Sequence, residues 1–575
     1  MAEHDLVVRG GTVIDGTGEA SRTADVAIDG DRITEVGRVS GTGKREIDAD
    51  GLLVTPGIVD IHCHYDGQAT WDERLQPSSW HGVTTVVMSN CGVGFAPVRS
   101  SDEDRLIELM EGVEDIPGAA LHEGLSWDWK TFAEYLDAVD RIPHDIDVGA
   151  QLPHGALRLH VMGERGANRE PATADDIVKM AAIVAEAIEA GALGFTTSRT
   201  MNHRSSKGEL TPSLTAEADE LVGIANAMGK IGKGVLQVVS DFIDLDGELD
   251  IFQRMATESG RPISMSLAQA PQAPDRFRRI LERITAANAA GVEMRAQVAA
   301  RGIGVLLGLQ CTLNPFMVNP VYREIAELPL AERVKIMRDP GFRDRLLAEE
   351  SDERLKDRLG GNMIKRFKLM FELADPPDYE PPASDCIEAR AARANIDVNE
   401  YVYDLLLQDD GKAMVYVPFA NYVDGRLDAV GEMMAHDFTV PGLSDGGAHV
   451  GTICDGSFPT TWLRLWGRDR ATGRLPIEFL VQRHTSGTAR TVGLLDRGVL
   501  APGYRADLNV IDFANLRERR PEMHYDLPAG GKRLLQRADG YVATMVAGQV
   551  TYENGVATDA LPGRLVRGAQ SAPTV

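Results

Sequence analysis

The chain has no run of about 18 consecutive apolar residues, the length a helix needs to cross a bilayer, so no membrane span is expected. Its opening, MAEHDLVVRGG, lacks a basic stretch followed by an apolar one, which argues against a secretory leader. Cysteine is scarce: there are five in 575 residues, at positions 63, 91, 311, 386 and 454, with no CxxC pair. An odd and scattered set argues against a disulfide framework and favours a reducing, cytoplasmic setting. Positive charge is in deficit, with 60 Lys and Arg against 86 Asp and Glu and a net charge of -26. Such a surface repels phosphate backbones. With aromatics at 6% and no GxxxxGK[ST] segment, nucleic-acid binding and a P-loop both lack support. A serine-nucleophile reading is set aside as well.

What is present is ordinary for a folded enzyme-sized protein: 43% hydrophobic and 25% charged residues, in a chain too long for one simple core. The first 57 residues alternate short β-type runs with Gly-Gly and Asp-Gly turn signals, and residues 485–575 return to that texture in ADLNVIDFANL, YVATMVAGQVTYENG and the tail before RLVRG. Both ends are therefore expected to build one small β subdomain. Between 58 and 484, short apolar strands alternate with amphipathic helical patterns such as ADDIVKMAAIVAEAIEAG. Eight candidate strands, GIVDIHCH, TTVVMSNCG, DVGAQLPHG, ALGFTTSRT, GVLQVVSD, PISMSLAQ, a seventh within EMRAQVAARGIGVLLGLQC, and TVPGLSDGGAH, suit an α/β architecture closed as a (β/α)8 barrel. The charged helical section 314–407 is too long for a βα loop and is expected to form a lid or an oligomerisation insert.

The stretch GIVDIHCHYD carries two histidines one residue apart behind an apolar run. On a strand, residues two apart share a face, so His62 and His64 point one way and Cys63 the other. At the C-terminal end of a barrel strand they would converge where barrel enzymes do chemistry, offering two of the ligands that a catalytic metal needs. Cys91 follows the β-branched run of TTVVMSNCG, and Asp445 precedes two glycines in LSDGGAH. Both sit at strand ends that an eight-strand barrel places on the same rim.

PGIVDIHCHYD, HGVTTVVMSNCGVGFAP, GALGFTTSR, LSDGGAH and RGVLAPGYRADLNVID together resemble successive signatures of the amidohydrolase superfamily, in particular its D-aminoacylase (N-acyl-D-amino-acid deacylase) branch. The resemblance implies a (β/α)8 barrel, a β subdomain from both termini, and His62, His64, Cys91 and Asp445 as metal ligands, Asp445 also shuttling the proton. The strand-four text GALGFTTSRT has no lysine, which weakens a hydantoinase or dihydroorotase assignment. One departure stands out. The family places metal-binding histidines at the ends of strands five and six, whereas here Gln237, Ser240, Asp241, Ser266 and Gln269 occupy those neighbourhoods. One zinc ion per chain on the surviving ligands is the simplest arrangement, with His154, His203 and His449 as substitutes from nearby loops.

The chemistry implied is hydrolysis of an amide by water that a divalent ion has acidified, Asp445 serving as general base and then acid. Gln237 or Gln269 would stabilise the oxyanion, and Arg199 or Arg301 would grip a substrate carboxylate. A small-molecule N-acyl (D-)amino acid is the expected substrate, and a homo-oligomer the expected assembly. A cyclic-amide hydrolase and a non-catalytic scaffold on the same fold are the alternatives.

Overall fold

The computed structural model describes residues 2–350, 352 and 361–574. Eight parallel strands form the central sheet: β1 (Ile58–Asp60), β2 (Val83–Met88), β3 (Asp147–Pro153), β4 (Gly194–Arg199), β5 (Val235–Ser240), β6 (Ile263–Leu267), β7 (Met294–Val298) and β8 (Thr439–Pro441). They pair in sequence order from β1 to β8. The ring closes just past the strand ends, where His64 N–H donates to Gly446 O (2.8 Å) and Asp445 N–H to His62 O (3.0 Å). Every residue of β2 and β3 is buried, as a strand covered on both faces requires. Helices complete the outer layer. Ala174–Ala190, for example, starts on a Thr173–Asp176 capping box, ends at left-handed Gly191, and buries Met180, Val184, Ala187 and Ile188.

The two chain ends meet in a nine-stranded sheet. Leu53–Pro56 lies between His4–Val13 on one side and Leu508–Ile511 on the other, and Val8, Val26, Val54, Leu508 and Met545 fill its core. The last segment departs from expectation: after Ala557 the tail leaves this sheet and around Leu565 runs along the base of β3, Val566 N–H donating to Val148 O (2.7 Å). Sheet and barrel are joined by buried charges. Arg497 and Arg505 both grip Asp147 (2.7 and 2.9 Å), with Asp496 beside Arg497. Because Asp147 is fully buried between two guanidinium groups, Asp147→Ala should cost about 3–5 kcal/mol in urea unfolding. An unchanged midpoint would show that the remaining aspartates neutralise both arginines unaided.

The insert is larger than its sequence suggests. The seventh barrel strand ends at Val298, and GVLLG belongs to Ile303–Gly308 of a separate three-stranded sheet with Phe371–Glu372 and Met414–Ala420. Helices between 320 and 406 pack on that sheet around a core of their own that includes Leu307, Phe316, Val402 and Val417. Residues 351 and 353–360 of the expected 314–407 segment lie outside the described residues.

Candidate metal centre and active site

Just beyond β1, the chain presents His62 and His64 to one side, with ring centroids 5.6 Å apart. Both are buried. Each aims Nε2 inward: His62 Nε2 lies 3.2 Å from Cys91 Sγ and 3.4 Å from Asp445 Oδ1, and His64 Nε2 is 3.6 Å from that same oxygen. The outward nitrogens are held differently. His62 Nδ1 is 2.6 Å from Gln297 Oε1 on β7, a neutral partner, whereas His64 Nδ1 faces the Glu114 carboxylate at 3.2 Å.

Cys91, Asp445 and His449 all have left-handed backbones (φ 56°, 48° and 49°), a conformation that costs side-chain-bearing residues energy and clusters where geometry serves function. Glycine makes the crowding possible. At Gly447 a Cβ would sit 2.9 Å from His64 O, so only glycine lets the β8 loop pack over the histidine pair. GLSDG, residues 442–446, has the G-x-S-x-G spacing of a serine-hydrolase elbow. Ser444 is no nucleophile, however, because its buried hydroxyl is spent on Asp60 Oδ2 (2.5 Å) and His62 O (3.0 Å).

His62, His64, Cys91, Glu114, Asp445 and His449 line a cavity of about 280 Å³ at the C-terminal end of the barrel, roofed by Ile303, Phe419 and Ala420 of the insert. Burial drives the His62 imidazolium down to about 4, so this ring is neutral and free to ligate. Burial also disfavours charge on His64, but the adjoining Glu114 and Asp445 outweigh it and hold its pKa well above the usual value. For Asp445, burial is overcome by His64 and His62, which keep the carboxyl ionised far below its ordinary range. Burial pushes the Cys91 thiol up to about 11.

Two imidazole nitrogens and a thiol that all lie within 4.8 Å of one another, with a carboxylate oxygen facing both rings, make a borderline-soft donor set that suits zinc. The residues present therefore fit one such ion. The glutamines that stand where the resemblance leads one to expect histidines do other work. Gln237 on β5 accepts from Cys91 N–H (3.1 Å), fixing the cysteine turn from below, and does not line the cavity. Gln269 bonds through its backbone to Asn421 of the insert, also away from the cavity.

Neither expected arginine reaches the substrate space. Arg199 is committed to Glu248 (2.7 Å) and Ala216 O, and Arg301 is buried against Asp455 (3.0 Å) and stacked 3.6 Å from the Tyr379 ring. His154 is likewise locked between Thr197 and Glu220. His203 and His449 do line the cavity, and burial lowers His203 to about 3. Sequence reasoning missed two residues: Glu114, and Arg276. Arg276 is the one lysine or arginine on the cavity wall among the described residues, and its guanidinium has no carboxylate within ion-pair distance there.

A rim of histidine, cysteine and aspartate donors on a (β/α)8 barrel with a two-ended β subdomain is the arrangement of a metal-dependent hydrolase, and the chain belongs to the amidohydrolase family, whose model matches residues 45–552. Within it the chain falls in the D-aminoacylase branch, hydrolases of C–N bonds other than peptide bonds. It is 25% identical to the D-aminoacylase of Alcaligenes xylosoxydans xylosoxydans over 92% of each chain. With an uncharacterized protein of Mycobacterium tuberculosis it shares 28% identity over 96% of its own length and 92% of the relative's. A solved D-aminoacylase structure with a binuclear metal center matches at a TM-score of 0.66 and 25% identity, covering 98% of this chain and 100% of that one. Among the described residues no helix is long and apolar enough to cross a membrane.

Proposed function

We propose that this chain hydrolyses N-acyl-D-amino acids, holding one zinc ion on His62, His64, Cys91 and Asp445. The observation that carries the reading is the convergence of two imidazole nitrogens, a thiol and an ionised carboxylate on one cavity. The D-aminoacylase relatives supply the substrate class, and a D-aminoacylase structure described by one-metal activation and second-metal attenuation supports a single working ion. When bound, the ion would acidify a water and polarise the amide carbonyl.

The protein's own groups do the rest. Asp445 accepts the water's proton on a carboxylate oxygen and returns it to the departing nitrogen. Ser266 Oγ, buried on the cavity wall with no hydrogen-bond partner among the described residues, and His449 are placed to donate to the developing oxyanion. Arg276 takes the role expected of Arg199 or Arg301, gripping the substrate carboxylate. A charged hydrogen-bonded contact is worth about 1.5–3 kcal/mol, so Arg276→Met should raise KM by about 10- to 150-fold with kcat little changed. Amidating the substrate carboxylate should erase that difference, and a variant equal to the parent on the free acid would remove Arg276 from the role.

The reading is tested by elemental zinc per chain together with turnover of N-acetyl-D-amino acids, their L-enantiomers and hydantoins. About one zinc and D-selective turnover are expected. Turnover of hydantoins alone would replace it with a cyclic-amide hydrolase, and a metal-free, inactive parent with a scaffold.

A further inference from the structure

Glu114 closes the helix Glu103–Glu114 between β2 and β3, a helix whose apolar face (Leu106, Leu109, Met110, Val113) packs into the barrel's outer layer. Its carboxylate is buried, at 1% exposure, and accepts no hydrogen bond from any backbone amide or hydroxyl among the described residues. A buried carboxylate without such donors is costly, and only the two imidazoles facing it offset the cost: His64 Nδ1 at 3.2 Å and His449 Nε2 at 3.6 Å. The Glu114 contact is an ion pair and not a hydrogen bond, since His64 Nδ1 has no hydrogen-bond partner among the described residues.

The helix end is held firmly in this position. Glu114 O accepts from His449 N–H, while the carboxylate of the next residue, Asp115, binds Thr312 Oγ1 of the insert (3.1 Å) and Gly451 N–H of the β8 loop (3.2 Å).

We propose that Glu114 is a positioning residue for the metal centre: its carboxylate, 3.2 Å behind His64 Nδ1, draws that nitrogen toward itself by charge and thereby fixes the ring with Nε2 facing Asp445 and Cys91. The inference rests on the zinc-hydrolase reading but concerns a different residue, one that lies on the far side of His64 from the converging donors. A carboxylate behind a ligating imidazole orients the ring and raises its basicity, and removing such a partner costs about 10- to 100-fold in metal affinity. The two histidines are therefore unequal ligands, His64 being backed by a charge and His62 by the amide of Gln297.

The test is zinc affinity of the full-length chain, measured by competition with a chelator of known strength. Glu114→Met keeps the volume and removes the carboxylate, and is expected to bind zinc about 10- to 100-fold more weakly. Glu114→Gln keeps an oxygen without the charge and should fall between that variant and the parent. Space filling alone would give all three proteins the same affinity, and agreement within twofold between Glu114→Met and parent overturns the proposal. If Glu114→Met fails to fold, an unchanged Glu114→Gln overturns it instead. A parent that binds no zinc removes the hydrolase reading, and the positioning role is then decided on the metal-free protein from ¹⁵N-histidine spectra. There the His64 ring signals, identified by their loss in His64→Ala, should move in Glu114→Gln, and unmoved signals overturn it.

Discussion

Asp445→Asn is expected to lower kcat/KM for an N-acyl amino acid by about 10²- to 10⁴-fold, the usual loss when a general base is removed. Its carboxylate oxygen is the point on which the site converges, 3.4 Å from His62 Nε2 and 3.6 Å from His64 Nε2, and the two rings keep it ionised against the pull of burial. Asparagine keeps the shape and one oxygen but cannot take up a proton. Three other donors, His62, His64 and Cys91, remain within reach of one ion, so the variant should still bind zinc, more weakly than the parent. The two roles separate by titration: excess zinc should restore occupancy without restoring rate. Full recovery of rate at saturating zinc would mean that Asp445 only holds the ion and that another group moves the proton.

The convergence of His62, His64 and Asp445 can be read from sequence because it is local: an HxH pair and an aspartate before two glycines need only the barrel rim to bring them together. Residues whose roles depend on distant partners read falsely. Arg199 and Arg301 look like free cations in the sequence, since Glu248 and Asp455, which neutralise them, lie 49 and 154 positions away. Glu114 ends an amphipathic run, EDRLIELMEGVE, in which a glutamate reads as solvated. It is buried because neighbouring Asp115 ties the helix end to Thr312 and Gly451, 197 and 336 residues further on. Arg276 is one of several arginines in DRFRRILER, and only the helix register separates the one on the cavity wall from Arg278 and Arg279, which are exposed and face Glu432 and Asp246. The start of the insert is hidden in the sequence for the same reason. An apolar GVLLG run suits a barrel strand and a lid strand equally, and only its pairing with Met414–Ala420 decides.

Zinc binding by the parent should release at least one proton at pH 7, and Cys91→Ala should bind zinc at least about 100-fold more weakly while releasing one proton fewer. Only the thiolate ligates, yet burial lifts the Cys91 thiol to about 11, so near neutrality the metal-free protein carries that proton and must shed it. The sign follows directly. Below the thiol's pKa each unit fall in pH adds a tenfold competition from protons, so apparent affinity should drop by about one decade per pH unit from this group alone. His62, already neutral because burial holds it near 4, adds nothing to that slope until the solution is strongly acidic. The loss in Cys91→Ala is set at about 100-fold because even a partner behind a ligand is worth 10- to 100-fold, and a direct thiolate is worth at least that much. Calorimetry in buffers of different ionisation enthalpy counts the protons. Equal release from parent and Cys91→Ala would take Cys91 out of the ligand set, leaving the ion to His62, His64 and Asp445 and making the cysteine a buried wall of the cavity.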